Sequence, residues 1–464
     1  LIIFNLNLLF SKDNNILIKK IKKKLYQLYS KNSNSLNGVI KVPGDKSISQ
    51  RILILGSLAI GTTKIEGISY SEDVNNLIKN LKLLGVKIIK KKNLAIVRGA
   101  GIGGLSPTTK KLYMGNSGTA TRLMLGALCN QDFEVKFSGD KSLSNRNMYE
   151  LIKPLRQMGA KINCKNNTLP ITIKGFNETI PIIYDQKIPS AQIKSAILIA
   201  SLNSPGLTTI IENIPTRNHT EILLKKIGAK IQIKKIKGKN IIKITGQKEL
   251  NAKDIVVAGD TSAAAIIGSA ALITSQSEIK IKEISINKTR ITFFNILKKM
   301  NAKIKISNKK KISNEEVADI TFKSSSLKGI HLGKKTVANM IDEIPIFSIL
   351  ATFAEGNSSF IGGNELKNKE SNRIKSLYEG LRACKIKVKK KANGLHITGN
   401  KKNNTMVKAK IKTYYDHRIA MVFLVMGLTS KKGIVVDNIN CIKTSFPNFV
   451  PLMKEIGANF SKKI

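Results

Sequence analysis

The sequence has no tryptophan, and aromatic residues make up only 5% of its 464 positions. This scarcity disfavours a surface on which the bases of single-stranded nucleic acid would stack. The longest apolar stretches, 263–273 and 419–428, are too short to cross a bilayer, so the sequence predicts a soluble protein. Apolar residues still make up 42% of the chain, which is typical of a globular protein with two or three domains.

Cysteine is scarce as well, and none of the four residues lies in C-x-x-C spacing. They are Cys129, Cys164, Cys384 and Cys441. The four histidines show no metal-ligand spacing beside them. We therefore expect a reducing, cytoplasmic compartment, with no structural zinc and no other bound metal.

Acidic residues number 30 against 79 Lys and Arg, which gives a net charge of +49. Such a charge would attract anions, whether nucleic acid, an anionic membrane or phosphorylated metabolites. The alternative is a compositional preference for Lys throughout the gene. Lysine is spread along the whole chain, including strand-like runs such as 230–237, which favours this second interpretation. We expect no nucleic-acid partner and no membrane partner.

Residues 1–35 differ from the rest, with many lysines, one acidic residue (Asp13) and no glycine. The absence of Arg and of a small-residue cleavage site argues against a targeting peptide. We predict a poorly ordered N-terminal extension that can be removed.

A pattern of apolar-x-x-apolar-Gly-small-Lys-apolar recurs along the chain, as at Leu81–Ile88 and Leu155–Ile162. Its pivot residues are Gly85, Gly159, Gly228, Asn301, Cys384 and Gly457. Glycine and asparagine tolerate the left-handed conformation that ends a helix. Each copy therefore predicts an amphipathic helix, a left-handed residue and a strand, and Cys384 is the poorest fit.

A second, more apolar helix is predicted roughly 40 residues before each pivot, and a helix that is apolar all round is buried. These helices begin near Lys46, Gly118, Ser190, Asp260, Asp342 and Asp416. The result is six α/β units. Each polar helix start, taken alone, is explained as a cap. If the six starts converge, their free N–H groups form a binding site for anions.

These turns resemble the two signatures of the enolpyruvylshikimate-phosphate synthases, at 44–51 (GDKSISQR) and 115–122 (GNSGTATR). Further matches follow in the family's order at 190–192, 342–345, 369–373 and 416–418. The resemblance runs from about Leu36 to the C-terminus. It implies an α/β fold of two similar domains, each of three repeated βαβαββ-type units, with the active site in the cleft between them. The implied domains are 46–259, and 36–45 together with 260–464.

The resemblance also implies an activity. Members of the family transfer the enolpyruvyl group of phosphoenolpyruvate to the 5-hydroxyl of shikimate 3-phosphate and release phosphate, on the shikimate pathway to chorismate and the aromatic amino acids. It implies two small-molecule substrates, no cofactor, a monomer, and competition between the inhibitor glyphosate and phosphoenolpyruvate.

Matching positions carry the family's roles over to this chain. Asp342 would accept the 5-hydroxyl proton, Glu370 would exchange the proton at C3, and Lys46 would touch both substrates. The residues implied for shikimate 3-phosphate are Lys46, Ser47, Arg51, Ser190, Ala191, Gln192, Asp342 and Lys369. Those implied for phosphoenolpyruvate are Lys46, Gly118, Arg146, Gln192, Arg373 and Arg418. Arg122 is either a support of this site or a helix-surface residue.

The sequence departs from the family pattern at a few positions. Asn372 stands where Asp is usual, Asn147 where Pro is common, and Gln50 where His or Asn is usual. Lys443 lies one residue away from the position of a lysine that some members have.

Two alternative functions stay open. A sister enzyme with the same fold acts on a UDP-sugar, but it has Lys-Asn where this chain has Lys46-Ser47. A nucleic-acid-binding protein would account for the charge, but it would not account for the six polar turns.

Overall fold

A computed structural model describes residues 27–400 and 408–462. Within these ranges the strands form six four-stranded sheets that share one plan. An edge strand runs parallel to the second strand, and the next two strands continue the sheet antiparallel. The repeated units predicted from the sequence are therefore present, one sheet to a unit.

The first three sheets belong to units 1 to 3, and the strands of each follow in spatial order. Unit 1 has Ile255–Val256, Thr62–Glu66, Leu94–Arg98 and Lys87–Lys90; unit 2 has Leu112–Tyr113, Glu134–Ser138, Ile171–Lys174 and Lys161–Cys164; unit 3 has Ile183–Gln186, Leu207–Glu212, Lys239–Thr245 and Lys230–Ile236. The edge strand of unit 1 comes from far along the chain.

The other three sheets belong to units 4 to 6. Unit 4 has Asn37–Ile40, Glu278–Ser285, Glu315–Lys323 and Lys303–Ile312; unit 5 has His331–Leu332, Asn357–Phe360, Gly394–Thr398 and Val388–Lys391; unit 6 has Ala409–Ile411, Ile434–Val436, Leu28–Ser30 and Phe460–Lys462. Units 4 and 6 thus each take one strand from the N-terminal part of the chain.

Each unit has one buried helix, and we call these six the inner helices. They are Lys46–Leu58, Gly118–Leu128, Ala191–Ala200, Thr261–Ile273, Ile344–Phe353 and His417–Gly427. Five of them start at a side chain that accepts a backbone N–H of the first turn, from Asp45, Ser117, Ser190, Asp260 and Asp416. Such a residue satisfies a donor that the helix leaves free.

Each unit also has a second, outer helix, which is buried along one face only. The outer helices are Glu72–Leu83, Tyr149–Gln157, His219–Lys226, Thr292–Lys299, Arg373–Ala383 and Phe449–Glu455. Shorter helical segments are Lys141–Ser144, Ser201–Asn203, Lys334–Asn339, Asn364–Asn368 and Asn440–Thr444.

The second residue after each outer helix is left-handed, as predicted, but the position predicted for unit 5 is wrong. The left-handed residues are Gly85, Gly159, Gly228, Asn301, Lys385 and Gly457. Cys384 is the C-cap of its helix and has a φ of −82°. The left-handed pivot is the next residue, Lys385, with a φ of 60°. Cys384 therefore corresponds to the buried apolar residue that precedes glycine in the other copies.

The apolar side chains form two separate cores. One core contains residues between Ile48 and Val257. The other contains Leu28, Leu36, Ile40 and Val42 together with residues from Ala263 onward. The N-terminal strands therefore belong to the second core, although they precede the residues of the first core in the sequence.

The predicted N-terminal extension is wrong at its C-terminal end. Leu28–Ser30 lies between Ile434–Val436 and Phe460–Lys462 in the sheet of unit 6. The Ser30 hydroxyl donates to the carbonyl of Leu424, and the amide of Ser33 donates to that of Leu428. A strand of three residues is too short to show a pattern in the sequence, which explains the error. Residues 1–26, which the same prediction covered, lie outside the described residues.

None of the helices in the described part of the chain has the length and apolar character that a bilayer crossing requires.

Candidate active site

The inner helices of all six units direct their N-terminal ends to one cleft, with a cavity volume of about 320 Å³. The cleft is lined by the predicted residues Lys46, Ser47, Arg51, Gly118, Arg122, Arg146, Ser190, Ala191, Gln192, Asp342, Lys369, Glu370 and Arg418. Arg373 is the predicted residue that does not line it. The convergence predicted from the six polar turns is therefore present, and it gathers side chains that lie far apart in the sequence.

The first inner helix brings one lysine and one arginine to the cleft. Lys46 donates to the Oδ2 of Asp73 over 3.0 Å. Arg51 is only 2% exposed, and its guanidinium donates to the hydroxyls of Ser47 and Thr220. Burial is the main cause that lowers the pKa of Arg51 to about 10. At neutral pH Arg51 is still a cation, held by hydroxyl groups rather than neutralised by a carboxylate in direct contact.

Gly118 opens the second inner helix beside two arginines. The Nη1 of Arg122 donates to the carbonyl of Gly118 over 3.1 Å, and Nη2 of Arg146 donates to Oδ1 of Asn116 over 2.6 Å. Burial, and then the neighbouring Arg146, lower the pKa of Arg122 to about 10. Arg122 thus belongs to the cleft and not to the helix surface. Two adjacent cations make this end of the cleft suited to a small dianion.

The third inner helix begins at the predicted Ser-Ala-Gln turn. Ser190 is its cap, and Nε2 of Gln192 donates to the hydroxyl of Thr119 over 2.8 Å. This bond joins the third inner helix to the start of the second. Further along the same helix, the hydroxyl of Ser195 accepts from Nη2 of Arg51 over 3.3 Å, so the third inner helix contacts both the first and the second.

Asp342 is not the cap of its helix, because Glu343 occupies that position. The Asp342 carboxylate instead contacts Arg217 at 2.5 Å, Arg373 at 3.5 Å and Arg418 at 3.8 Å. Burial acts to raise the pKa of Asp342, but Arg418, Arg217, Lys369 and Arg373 outweigh it and hold the pKa well below the ordinary value of 3.8. Asp342 is therefore ionised at neutral pH and can accept a proton.

Glu370 has a comparable environment on the other side of Arg373. Its Oε2 lies 2.5 Å from Nη2 of Arg373, and its backbone carbonyl accepts from the hydroxyl of Ser142. Burial acts to raise the pKa of Glu370. Nearby positive charges, led by Arg373 and Arg146, outweigh burial and hold this pKa well below the ordinary value of 4.5. Arg373 itself is 1% exposed and also pairs with Asp416 at 2.9 Å. One buried arginine thus connects both predicted proton-handling carboxylates.

The family model described as EPSP synthase (3-phosphoshikimate 1-carboxyvinyltransferase) matches residues 30–453. The chain belongs to the EPSP synthase family.

Similar proteins cover almost the whole chain. The 3-phosphoshikimate 1-carboxyvinyltransferase of Bartonella quintana is 42% identical over 431 residues, which is 92% of this chain and 98% of that protein. The enzyme of the same name from Zymomonas mobilis is 42% identical over 438 residues, 93% of this chain and 97% of that protein. The family predicted from the six motifs is confirmed.

Solved structures agree with this membership. An EPSP synthase from Acinetobacter baumannii superposes with a TM-score of 0.82 at 36% identity, covering 94% of this chain and 99% of that one. The enolpyruvyl transferase NikO from Streptomyces tendae is 14% identical with a TM-score of 0.76, over 94% and 98% of the two chains, a likeness of fold alone. The predicted α/β enolpyruvyl transferase fold is confirmed.

The departures from the EPSP synthase pattern have local explanations. Asn372 caps the helix that begins at Arg373, since its Oδ1 accepts the amide of Lys375 over 3.1 Å. Asn147 likewise accepts the amide of Tyr149 over 2.7 Å. Gln50 donates to the hydroxyl of Ser117 over 2.7 Å. Lys443 is exposed and, within the described residues, is not part of the cavity lining.

Some residues at the cleft were not predicted from the sequence. Arg217 and Asp73 line it through their ion pairs with Asp342 and Lys46. Arg290 also lines it, is 2% exposed and lies 3.4 Å from Glu343. The signal that could have found two of them is residue type, because arginine is rare in a chain so rich in lysine. Across residues 27–400 and 408–462, no group of three His, Cys, Asp or Glu could hold a metal ion.

Proposed function

We propose that the cleft joins phosphoenolpyruvate to shikimate 3-phosphate, the transfer after which the family is named. The observation that carries this assignment is the convergence of six inner-helix N-termini on a cavity lined by Lys46, Arg146 and Arg418 as well as by Asp342 and Glu370. Both substrates carry phosphate and carboxylate groups. Free N–H groups and fixed cations are what such anions need.

Shikimate 3-phosphate binds at the side of the cleft formed by the first and third inner helices. Ser47, Arg51, Ser190, Ala191 and Lys369 hold its phosphate. Support comes from the position of Arg51, which is anchored by Ser47 and Thr220 while still lining the cavity. Gln192 lies between the two half-sites and contacts both substrates.

Phosphoenolpyruvate binds between Gly118, Arg146 and Arg418, with Lys46 reaching both substrates. An added Cβ at Gly118 would lie 2.7 Å from Nη1 of Arg122 and 3.1 Å from Nη1 of Arg146, so this glycine faces the two cations directly. The predicted contact of Arg373 with phosphoenolpyruvate stays a prediction. Its three carboxylate partners support a positioning role, in which Arg373 holds Asp342 and Glu370 apart at fixed places.

Asp342 accepts the proton of the 5-hydroxyl as its oxygen attacks C2 of phosphoenolpyruvate, while C3 gains a proton. Loss of phosphate and of one C3 proton then restores the double bond. The ionised state of Asp342 supports the first role. Glu370 exchanges the proton at C3, for which it must be protonated at one step. Substrate anions that pair with Arg146 and Lys46 would relieve the charges that keep its pKa low, and so raise it.

The two cores support the domain division proposed from the sequence, 46–259 and 36–45 with 260–464, to which residues 28–30 are now added on the second side. We also propose that the protein acts as a cytoplasmic monomer without a nucleic-acid partner. The spread of lysine over the whole chain supports the last point, since a binding patch would concentrate it.

The test is an assay of phosphate release with each substrate alone, with both, and with a UDP-sugar replacing shikimate 3-phosphate. We expect release only when phosphoenolpyruvate and shikimate 3-phosphate are both present. Equal turnover with the UDP-sugar would contradict the assignment of the acceptor. Glu355→Gln changes an exposed carboxylate outside the cleft lining. It is the control variant and should release phosphate at the natural rate.

A further inference from the structure

Lys194 is a lysine with no access to solvent, although it lies only two residues after Gln192. Its ammonium contacts two carboxylates, Glu212 at 2.8 Å and Glu221 at 2.7 Å. The side chains of the three residues are at most 2% exposed. A buried charge cluster of this kind is costly to desolvate, so its presence beneath a binding site points to a role beyond packing.

Glu212 ends the central strand of unit 3 and fixes the loop that follows, 213–217. Its Oε1 accepts from the amide and the hydroxyl of Thr216, both within 2.8 Å, as well as from Lys194. Its Oε2 accepts from the side-chain amide of Asn240. The carboxylate thereby bonds the start of the loop to Thr216 near its end. Arg217, which follows Thr216, lines the cleft and pairs with Asp342.

Glu221 connects the same ammonium to the first inner helix. It lies on the outer helix of unit 3 next to Thr220, whose Oγ1 accepts from Nε of Arg51 over 2.8 Å. The Thr220 hydroxyl donates in turn to that of Ser195, beside Lys194. The charge of Glu221 also acts to raise the pKa of Arg51, against the larger effect of burial. One lysine therefore joins three segments that reach the same side of the cleft.

We propose that the Lys194–Glu212–Glu221 cluster positions the shikimate 3-phosphate side of the cleft, and that Glu212 sets the place of Arg217 through the 213–217 loop. These are positioning residues, since none of the three lines the cavity in the described part of the chain. The inference rests on the proposed function, because it takes the Ser190 side as the acceptor half-site. Low local polarity strengthens each of these hydrogen bonds and keeps the loop in one arrangement.

The test is Glu212→Gln, which keeps the shape and an oxygen acceptor but removes the charge opposite Lys194. We expect the KM for shikimate 3-phosphate to rise about tenfold, the effect of roughly one weakened charge-assisted hydrogen bond. The KM for phosphoenolpyruvate should stay within about twofold. In an Arg217→Ala background, Glu212→Gln should add little, because the residue that it positions has been removed.

Glu249→Gln, at an exposed carboxylate of the same unit, is the matched control and should change neither constant. If Glu212→Gln does not fold, Thr216→Val takes its place, with an expected rise of about threefold in the same KM. A lower melting temperature with both KM values unchanged would overturn the inference and leave the cluster a stability element. So would equal effects of Glu212→Gln with and without Arg217.

Ser190→Ala separates this failure from a failure of the proposed function. If Ser190→Ala raises the KM for shikimate 3-phosphate while the Glu212 and Thr216 variants do not, only the positioning inference fails. If Ser190→Ala raises the KM for phosphoenolpyruvate instead, the half-site assignment fails and the inference with it.

Discussion

Arginine is used sparingly in this chain: ten of the 79 basic residues are arginine and the other 69 are lysine. Six of the ten line the cleft and a seventh, Arg373, lies directly behind it. They are Arg51, Arg122, Arg146, Arg217, Arg290, Arg373 and Arg418. A planar guanidinium can bind carboxylate or phosphate in a bidentate fork, which an ammonium cannot. Residue choice at the cleft is therefore set by geometry, whereas on the surface lysine serves equally well.

The two carboxylates at Arg373 are expected to be needed for turnover. Asp342→Asn and Glu370→Gln should each lower kcat on the order of 100-fold or more, because each removes a group that moves a proton in the proposed reaction. Both variants should fold and bind substrate. Steady-state kinetics with each substrate varied, together with a thermal melt, would measure this. Near-normal kcat in both variants would reduce these residues to partners of buried arginines.

Gly118 governs the space available beside Arg122 and Arg146. The natural chain should be inhibited by glyphosate, and Gly118→Ala should weaken inhibition tenfold or more, because an overpacked site costs about 1–3 kcal/mol and the inhibitor is the longer of the two ligands. Some loss of affinity for phosphoenolpyruvate should accompany it. Inhibition curves against phosphoenolpyruvate would test this. An unchanged inhibition constant would show that Gly118 does not face the inhibitor.

At the scale of elements, the start of an inner helix carries most of the site chemistry. His417 is the first residue of the sixth inner helix, and burial is the main cause that lowers its pKa well below 6.5. The folded state therefore keeps this imidazole neutral under conditions in which the unfolded chain protonates it. Its contribution to stability is present above pH 6.5 and is lost as pH falls below that value.

We expect His417→Gln to flatten the loss of stability between about pH 6.5 and pH 5, by up to about 1.4 kcal/mol per pH unit. Urea unfolding at several pH values would measure the slope for each form. His331→Gln, at an exposed histidine, is the matched control and should keep the natural slope. Identical slopes for His417→Gln and the natural chain would contradict the prediction.

The strand Leu28–Ser30 is expected to be essential to unit 6. Leu28 is 2% exposed in the second core, so Leu28→Ala should lower the free energy of unfolding by about 2–5 kcal/mol. Val39→Ala, at a position 59% exposed in another strand, should have little effect. Denaturant unfolding would compare them.

A chain that starts at residue 36 should be far less stable than one that starts at Gln27, because it lacks the strand that pairs with both neighbours. Equal stability of the two would restore the view of residues 27–35 as a removable extension.

At the scale of the whole molecule, the chain crosses between its two cores twice, and the crossings are bonded to each other. The amide of Asp45 donates to the carbonyl of Ala258 over 2.8 Å, and the amide of Asp260 donates to that of Pro43 over 3.0 Å. Asp260 also accepts from the amide of Lys46 over 3.2 Å. The start of the first inner helix is therefore held from both sides, where the two cores meet.

The charge of +49 is expected to act on the capture of anionic substrates. Raising KCl from about 0.02 M to about 0.3 M should lower kcat/KM for shikimate 3-phosphate several-fold, with kcat nearly constant, because salt screens long-range attraction. Tetramethylammonium chloride should act equally, which separates screening from a specific cation effect. A constant kcat/KM would show that the charge plays no part in substrate capture.

The repeating units and the positions of the helix starts could be predicted from the residues alone. Caps such as Asp45 and Ser190, and left-handed residues such as Gly85, act on backbone groups within a few positions, so local sequence specifies them. Motif residues such as Lys46 and Gln192 stand at those starts, and their match to the family pattern allowed them to be assigned. At unit 5 the left-handed residue is Lys385. Lysine adopts this conformation less readily than glycine, so there was no clear signal in the sequence there and the predicted pivot was one residue too early.

Which distant segments meet could not be predicted and is visible only in the folded chain. Leu28–Ser30 pairs with strands about 400 residues away. A strand of three residues is too short to show a periodic pattern, so this pairing could not be predicted. Lys194 resembles any other lysine of the sequence, yet packing removes it from water and opposes it to two carboxylates. Arg217 lines the cleft at the end of a loop whose Thr216 is bonded to the distant Glu212 carboxylate. Burial and long-range pairing depend on the packing of whole units, so neighbouring residues in the sequence could not specify them.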